Sequence, residues 1–282
     1  MTRAYLLLDS HQIPNLYPRL YELAQLTTPH SLYLTTRYAE LAHRGPVLAA
    51  VEPNSALARI FAEQWQEKAG IWLESDVDEA TLVAHLRSLV HVALGSDVTA
   101  FFRFYDPRIT RLWLADLPAG ERDRLMGPVR LIRLPNDDGS TWLLRQENPD
   151  QPFNRYGHAP WLSLSPERLE HLCQGKRTQF AQRLIAHCQR YFPASLQGLA
   201  PAAREQWAQG CQHNAARQGY SAEDEVMSWV GLYACLGETF PDAPSHDVFR
   251  QLLAERDASP QQRLDNVLDE LIRQLIIGEV AA

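Results

Sequence analysis

The spacing of apolar positions changes along the chain, and the change divides it in two. In the first half, short apolar runs at residues 5–8, 31–34, 46–51 and 71–73 read as strands. Between them, apolar residues return at helical spacing. Leu16, Leu20 and Leu23 form one such set, and Leu57, Ile60, Phe61 and Trp65 a second. Leu82, Val83, Leu86, Leu89 and Val90 form a third. Asn54 is placed to cap the second helix, and Asp76 with Glu79 forms a capping box before the third. Residues 36–43 predict a short helix ended by Gly45 and Pro46. Residues 129–134 and 141–144 predict a hairpin turning over Asn136, Asp137, Asp138 and Gly139.

Residues 99–108, Thr-Ala-Phe-Phe-Arg-Phe-Tyr-Asp-Pro-Arg, are the densest stretch. They predict a buried central strand with Phe102 and Phe104 on one face and Phe101, Arg103 and Tyr105 on the other. Pro107 suits the first position of a helix, and Asp106 before it suits the cap. This strand would deliver Arg103, Tyr105, Asp106 and Arg108 to one sheet edge, where open α/β sheets place their sites.

From residue 165 strand signals stop. Ser165-Pro166 opens a helix containing Leu169 and Leu172. A longer helix carries Phe180, Leu184, Ile185 and Cys188, and further helices span 201–218 and 246–255. One starting near Ser221 turns Val226, Trp229, Val230 and Tyr233 inward, and the last, opened by Ser259-Pro260, sets Leu264, Val267, Leu268, Leu271, Ile272, Leu275 and Ile276 on one face. The expected fold class is α/β. An N-terminal α/β lobe (1–145) holds a central, mostly parallel or mixed sheet flanked by helices, and an all-α C-terminal lobe (165–282) follows. Residues 146–164, polar and rich in Pro and Asn, predict a linker between them.

Composition excludes more than it assigns. With 45% hydrophobic and 22% charged residues over 282 positions, the chain suits a soluble globular protein. No apolar run approaches the 18 or so residues of a membrane span, and the start is too short for a signal segment, so a cytoplasmic protein without membrane contact is expected. The net charge is −7, and residues 221–282 carry twelve acids against four arginines. An acidic second lobe argues against nucleic acid, which needs a basic face. The four cysteines contain no Cys-x-x-Cys, and Cys188, Cys211, His187 and His213 match no standard zinc spacing. There is no nucleophile elbow, phosphate loop or His-Glu-x-x-His. An arginine pair at 103 and 108 can grip an anion, but no nucleophile or general base accompanies it. These features favour a binding or scaffolding role, with no metal site expected. The alternative is a small-molecule hydrolase or transferase with its site at the end of the central strand.

His85-Leu-Arg-Ser-Leu, Phe101-Phe-Arg-Phe-Tyr-Asp-Pro-Arg and Gly127-Pro-Val together resemble the signature of the bacterial type VI secretion effector adaptor family. Leu6-Leu-Leu-Asp9, Ser31-Leu-Tyr, Gly45-Pro-Val and Trp72-Leu-Glu-Ser75 fall in the family's order. Ala216-Arg-Gln-Gly-Tyr-Ser-Ala-Glu-Asp, Gly237-Glu-Thr-Phe and Pro260-Gln-Gln-Arg-Leu are similar to its helical lobe. Leu125-Met126 departs from the aromatic pair that often precedes the Gly-Pro. The resemblance implies a non-enzymatic adaptor or chaperone, without a cofactor, that binds the N-terminal segment of a cognate effector and loads it onto the VgrG spike protein. Arg103, Tyr105, Asp106 and Arg108 would line or brace the contact surface, with Phe153, Arg155, Tyr156 and Trp161 of the linker as a second candidate surface.

Overall fold

The first strand, β1 (Arg3–Asp9), is buried on both sides, and its alternate residues feed two different cores. Tyr5 and Leu7 enter one, Leu6 and Leu8 the other, as the period-two pleat requires. The computed structural model describes residues 2–23, 28–95, 98–136 and 140–280, with side chains up to 276. In it β1 lies near the middle of a six-stranded sheet. The other strands are β2 (His30–Ser31), β3 (Pro46–Val51), β4 (Gly70–Ser75), β7 (Val129–Pro135) and β8 (Thr141–Arg145), in the order β2-β3-β1-β4-β7-β8.

Every hydrogen-bonded pair in this sheet is antiparallel, which corrects the expectation of a mostly parallel or mixed sheet. The reason is topological. Strands β3 and β4 do run the same way, joined by α2 (Ala56–Ile60) and the π turn Phe61–Trp65. But β1 sits between them, antiparallel to both. Sequence periodicity reports the strand-helix-strand alternation and is blind to a strand inserted between the two. The 129–145 hairpin forms as expected, Leu134 opposite Trp142; Asp137, Asp138 and Gly139 of its loop lie outside the described residues.

One face of the sheet is covered by α1 (Leu16–Leu23), α2 and the π turn, through Leu16, Leu20, Leu57, Phe61 and Trp65. The other face is covered by α3 (Glu79–Ser88), α4 (Pro107–Leu114) and α5 (Ala119–Met126), through Leu82, Leu86, Trp113, Leu114 and Met126. The caps shift by a residue or two from those expected. Ser55, not Asn54, accepts from Ala58 N, and Asp78, not Asp76, accepts from Thr81 N, while Asp76 pairs with Arg130.

A second, three-stranded sheet has the order β6-β5-β9, with β5 (His91–Leu94), β6 (Val98–Phe101) and β9 (Ser163–Leu164). The expected central strand is therefore corrected. Only its first three residues are extended, as the end of an edge strand, and from Phe102 the chain turns into α4.

The chain forms two compact units, 1–176 and 177–282. The boundary falls inside α6 (Pro166–Tyr191), one continuous helix where two were expected. Gly175 lies within it, and Leu112 packs where a side chain would stand. Residues 146–164 are not a free linker but part of the first unit, for reasons given below. The second unit contains α7 (Pro201–Arg217), α8 (Glu223–Leu236), α9 (Asp247–Leu253) and α10 (Pro260–Val280). Their core centres on Trp229, whose Nε1 donates to Asn214 Oδ1 at 2.8 Å, while Asn214 Nδ2 donates to Phe240 O at 2.6 Å. Among the described residues no helix is long and apolar enough to cross a membrane.

Candidate interaction site

The four residues expected at the end of the central strand are each engaged within the fold, Arg103 with Tyr105 and Asp9, and Asp106 with Arg108. Asp106 is buried and caps α4 by accepting from Arg108 N at 3.1 Å. The Arg108 guanidinium folds back onto the same carboxylate, Nε at 2.9 Å and Nη2 at 2.7 Å, a two-point contact that satisfies both ions. Arg103, two residues beyond β6, pairs with the buried Asp9 at the end of β1, at 2.5 Å. Its guanidinium also lies over the Tyr105 ring, 5.8 Å from the centroid. Tyr105 is buried, and its hydroxyl bonds that of Tyr33. Burial pushes the Tyr105 phenol well above its ordinary range, so it stays protonated. Phe102 meets Trp113 edge-on at 4.6 Å. The cluster is a closed corner joining β1, β6 and α4, with its carboxylates already engaged by arginines.

The second candidate group, in 146–164, is pinned to the first unit. Asp123 accepts from Asn148 N at 2.7 Å and from Glu147 N at 3.2 Å. Phe153 sets its edge against His85, with centroids 5.7 Å apart. Tyr156 stacks on His91 at 5.2 Å, and its hydroxyl accepts from Arg37 N. Trp161 Nε1 donates to Ser88 Oγ at 2.9 Å beneath the Arg124 guanidinium. Three of the four residues are thus anchors. Arg155 alone of them is exposed, at the rim of a cavity of about 390 Å³ also lined by Arg130 and Phe153.

His85 anchors the segment from below. Its Nε2 lies 3.0 Å from Leu125 O and its Nδ1 3.2 Å from Asn154 O. A neutral ring carries one N–H and can donate to only one of these carbonyls. Burial pushes its pKa below the ordinary 6.5, against the opposing pull of the two carbonyls. The ring packs on Gly127, whose φ of 56° and lack of a Cβ are both needed there. The His85 and Gly127-Pro128 motifs therefore meet as packing partners.

Beside the corner, the edge of the small sheet is open to solvent. Phe101 is 48% exposed. It packs on Tyr38 at 4.6 Å and Tyr33 at 5.7 Å. Leu34 and Val98 nearby in the chain are also exposed, at 60% and 58%. Arg37 lies over Tyr38, 5.1 Å from the centroid, and donates to Tyr38 Oη at 3.0 Å. Its other near neighbour is His91 Nδ1, at 3.5 Å. Both contacts are neutral, so among the described residues no carboxylate compensates Arg37. Burial, and then the Arg37 charge, hold His91 below its ordinary pKa. Sequence reasoning placed Phe101 on the buried strand and passed over Arg37 and Tyr38. The available signal was the run of Tyr33, Leu34, Arg37 and Tyr38, too apolar and aromatic for a surface connection.

Residues 4–124 match a family model described as a domain of unknown function, DUF4123. This domain is associated with type VI secretion effectors. The matched region runs from β1 into α5 and contains both the closed corner and the open edge. No curated protein and no solved structure matches the chain.

Proposed function

We propose that this chain is a non-enzymatic adaptor or chaperone. It binds a cognate type VI secretion effector in the cytoplasm, through an N-terminal segment of that effector, and loads it onto the VgrG spike. The observation that carries this reading is the match of residues 4–124 to a secretion-associated domain. The chemistry of that region supports it. It presents to solvent an aromatic and apolar edge rimmed by an arginine, the residue types that anchor protein interfaces. The rival reading, a hydrolase or transferase at the Arg103–Arg108 corner, draws less support, because Asp106 is engaged by Arg108 and Asp9 by Arg103.

The test is co-expression of the tagged chain with the product of a toxin gene encoded beside it, followed by affinity capture and size-exclusion chromatography. A co-eluting complex that keeps the toxin soluble is expected. Separate elution of two well-folded proteins overturns the reading.

A further inference from the structure

β6 is the terminal strand of the small sheet, and its register fixes which backbone groups are left over. Phe102 N donates to Val90 O at 3.1 Å, and His91 pairs with Phe101. In an antiparallel ladder the inward-bonding residues alternate, so the backbone of Ala100 and Val98 also turns toward β5. The same alternation points the N–H and C=O of Thr99 and Phe101 away from β5. The opposite strand agrees: Ala93, across from Thr99, turns its N–H to β9 and donates to Leu162 O at 2.9 Å. Thr99 and Phe101 therefore present up to about four backbone hydrogen-bonding groups along an exposed, apolar edge.

The other edges are defended or poorer. β2 and β9 are two residues long, and β9 runs into Ser165-Pro166. β8 is longer, but two of its three exposed side chains are Thr141 and Arg145, and it lies outside the family-matched region.

We infer that β6 is a docking edge for an extended segment of the effector, which adds to the sheet as a fourth strand. The inference rests on the adaptor reading and gives it a contact geometry. An edge of unpaired N–H and C=O groups is satisfied by another strand, and a helix cannot offer matching groups because its own are used internally. Side chains of the incoming segment on the Phe101 side meet Phe101 and Tyr38, which calls for apolar residues at alternate positions. The uncompensated Arg37 beside them calls for a carboxylate at the flank of the segment. A second copy of this chain would bring the same cationic rim to the edge, so charge complementarity favours a partner segment over self-pairing.

The experiment is capture of the neighbouring toxin by the full chain, with hydrogen exchange read at the Thr99 and Phe101 amides. Thr99→Pro removes an outward N–H and leaves the ladder to β5 intact, the one kind of strand position where proline is tolerated. It should weaken capture about tenfold or more, because one backbone hydrogen bond is lost and the carbonyl it served is left unpaired in the interface. Thr99→Ala should stay within about twofold, since its backbone is unchanged. Arg37→Glu should also weaken capture, and in the wild-type complex both amides should become protected. If the wild type captures the toxin but the amides stay unprotected, strand addition is overturned while the adaptor reading stands. Capture by Thr99→Pro at wild-type strength has the same meaning. If the wild type captures nothing, both fall together. A dimer of the chain alone that Thr99→Pro dissolves overturns the partner segment in favour of a second copy. The exchange readout needs no variant, so a Thr99→Pro chain that fails to fold leaves the test decisive.

Discussion

Two neighbouring pieces of one motif have opposite fates. Val98–Phe101 is an exposed edge strand, whereas residues 102–108 roll toward the core and are engaged by one another and by Asp9 and Tyr33. Exposure falls from 48% at Phe101 to 6% at Phe102, across a single peptide bond. The richer half, with its two arginines, tyrosine and aspartate, looks the more chemical of the two, yet its charges are spent inside the molecule. The plainer half leaves its backbone and its aromatic face unspent. A dense polar motif can thus be the frame of a surface and not the surface itself. Buried ions must be paired to exist at all, so a cluster of them next to aromatic residues is as much a signature of a satisfied corner as of a site.

Substitutions can break that comparison. The largest effect is expected at Asp106. Asp106→Ala removes the α4 cap and the two-point contact to Arg108, and should cost about 3–5 kcal/mol, read as a fall in thermal midpoint on the order of 10 °C. A change below about 1 kcal/mol would mean the corner is not structural. Next comes Gly127→Ala. It forces a Cβ into the His85 ring at a positive φ, and about 2–4 kcal/mol should be lost in urea denaturation. Tyr105→Phe removes one member of the buried hydroxyl pair and should cost about 1 kcal/mol.

The pH dependence is gentler. The buried His85 binds fewer protons in the folded chain than in the unfolded one. Its contribution is therefore intact above its ordinary pKa of 6.5 and is lost as the pH drops below that value. Melting followed by circular dichroism from pH 7.5 to 5 should show a falling midpoint, and His85→Gln should flatten the slope. An equally steep slope in the variant would assign the effect to other groups. The smallest effect on stability is expected at the edge: Phe101→Ser should cost under about 1 kcal/mol, the opposite of Phe102→Ser, which opens the core. If the two variants melt alike, the boundary between frame and surface is misplaced.

Much of this could be read along the chain. Asp106 and Pro107 announced the start of α4, and the short apolar runs at 5–8, 46–51 and 71–73 announced buried strands, because caps and buried runs depend on a few adjacent residues. The apolar face of α10 shows where such reading stops. Leu264, Val267 and Leu271 are buried, while Ile272, Leu275 and Ile276, on the same expected stripe, are exposed. Periodicity reports that a face is apolar and does not report how far its neighbour extends. The linker was misread for a related reason. Pro and Asn mark the loss of regular structure in 146–164, but Asp123, His85, His91 and Ser88, which hold it down, lie 23 to 73 residues away.

By itself the sequence determined the two-part layout, an α/β first part and a helical second, together with most element positions and the closed chemistry of the Asp106 cap. These follow from local propensity, period and capping, which act over one or two turns of chain. Only the tertiary structure decided that β1 stands between β3 and β4, that Arg103 belongs to Asp9, and that Phe101 remains outside while Phe102 goes in. Those outcomes depend on which distant backbone arrives alongside, and a pairing across 94 residues leaves no periodic trace in either partner.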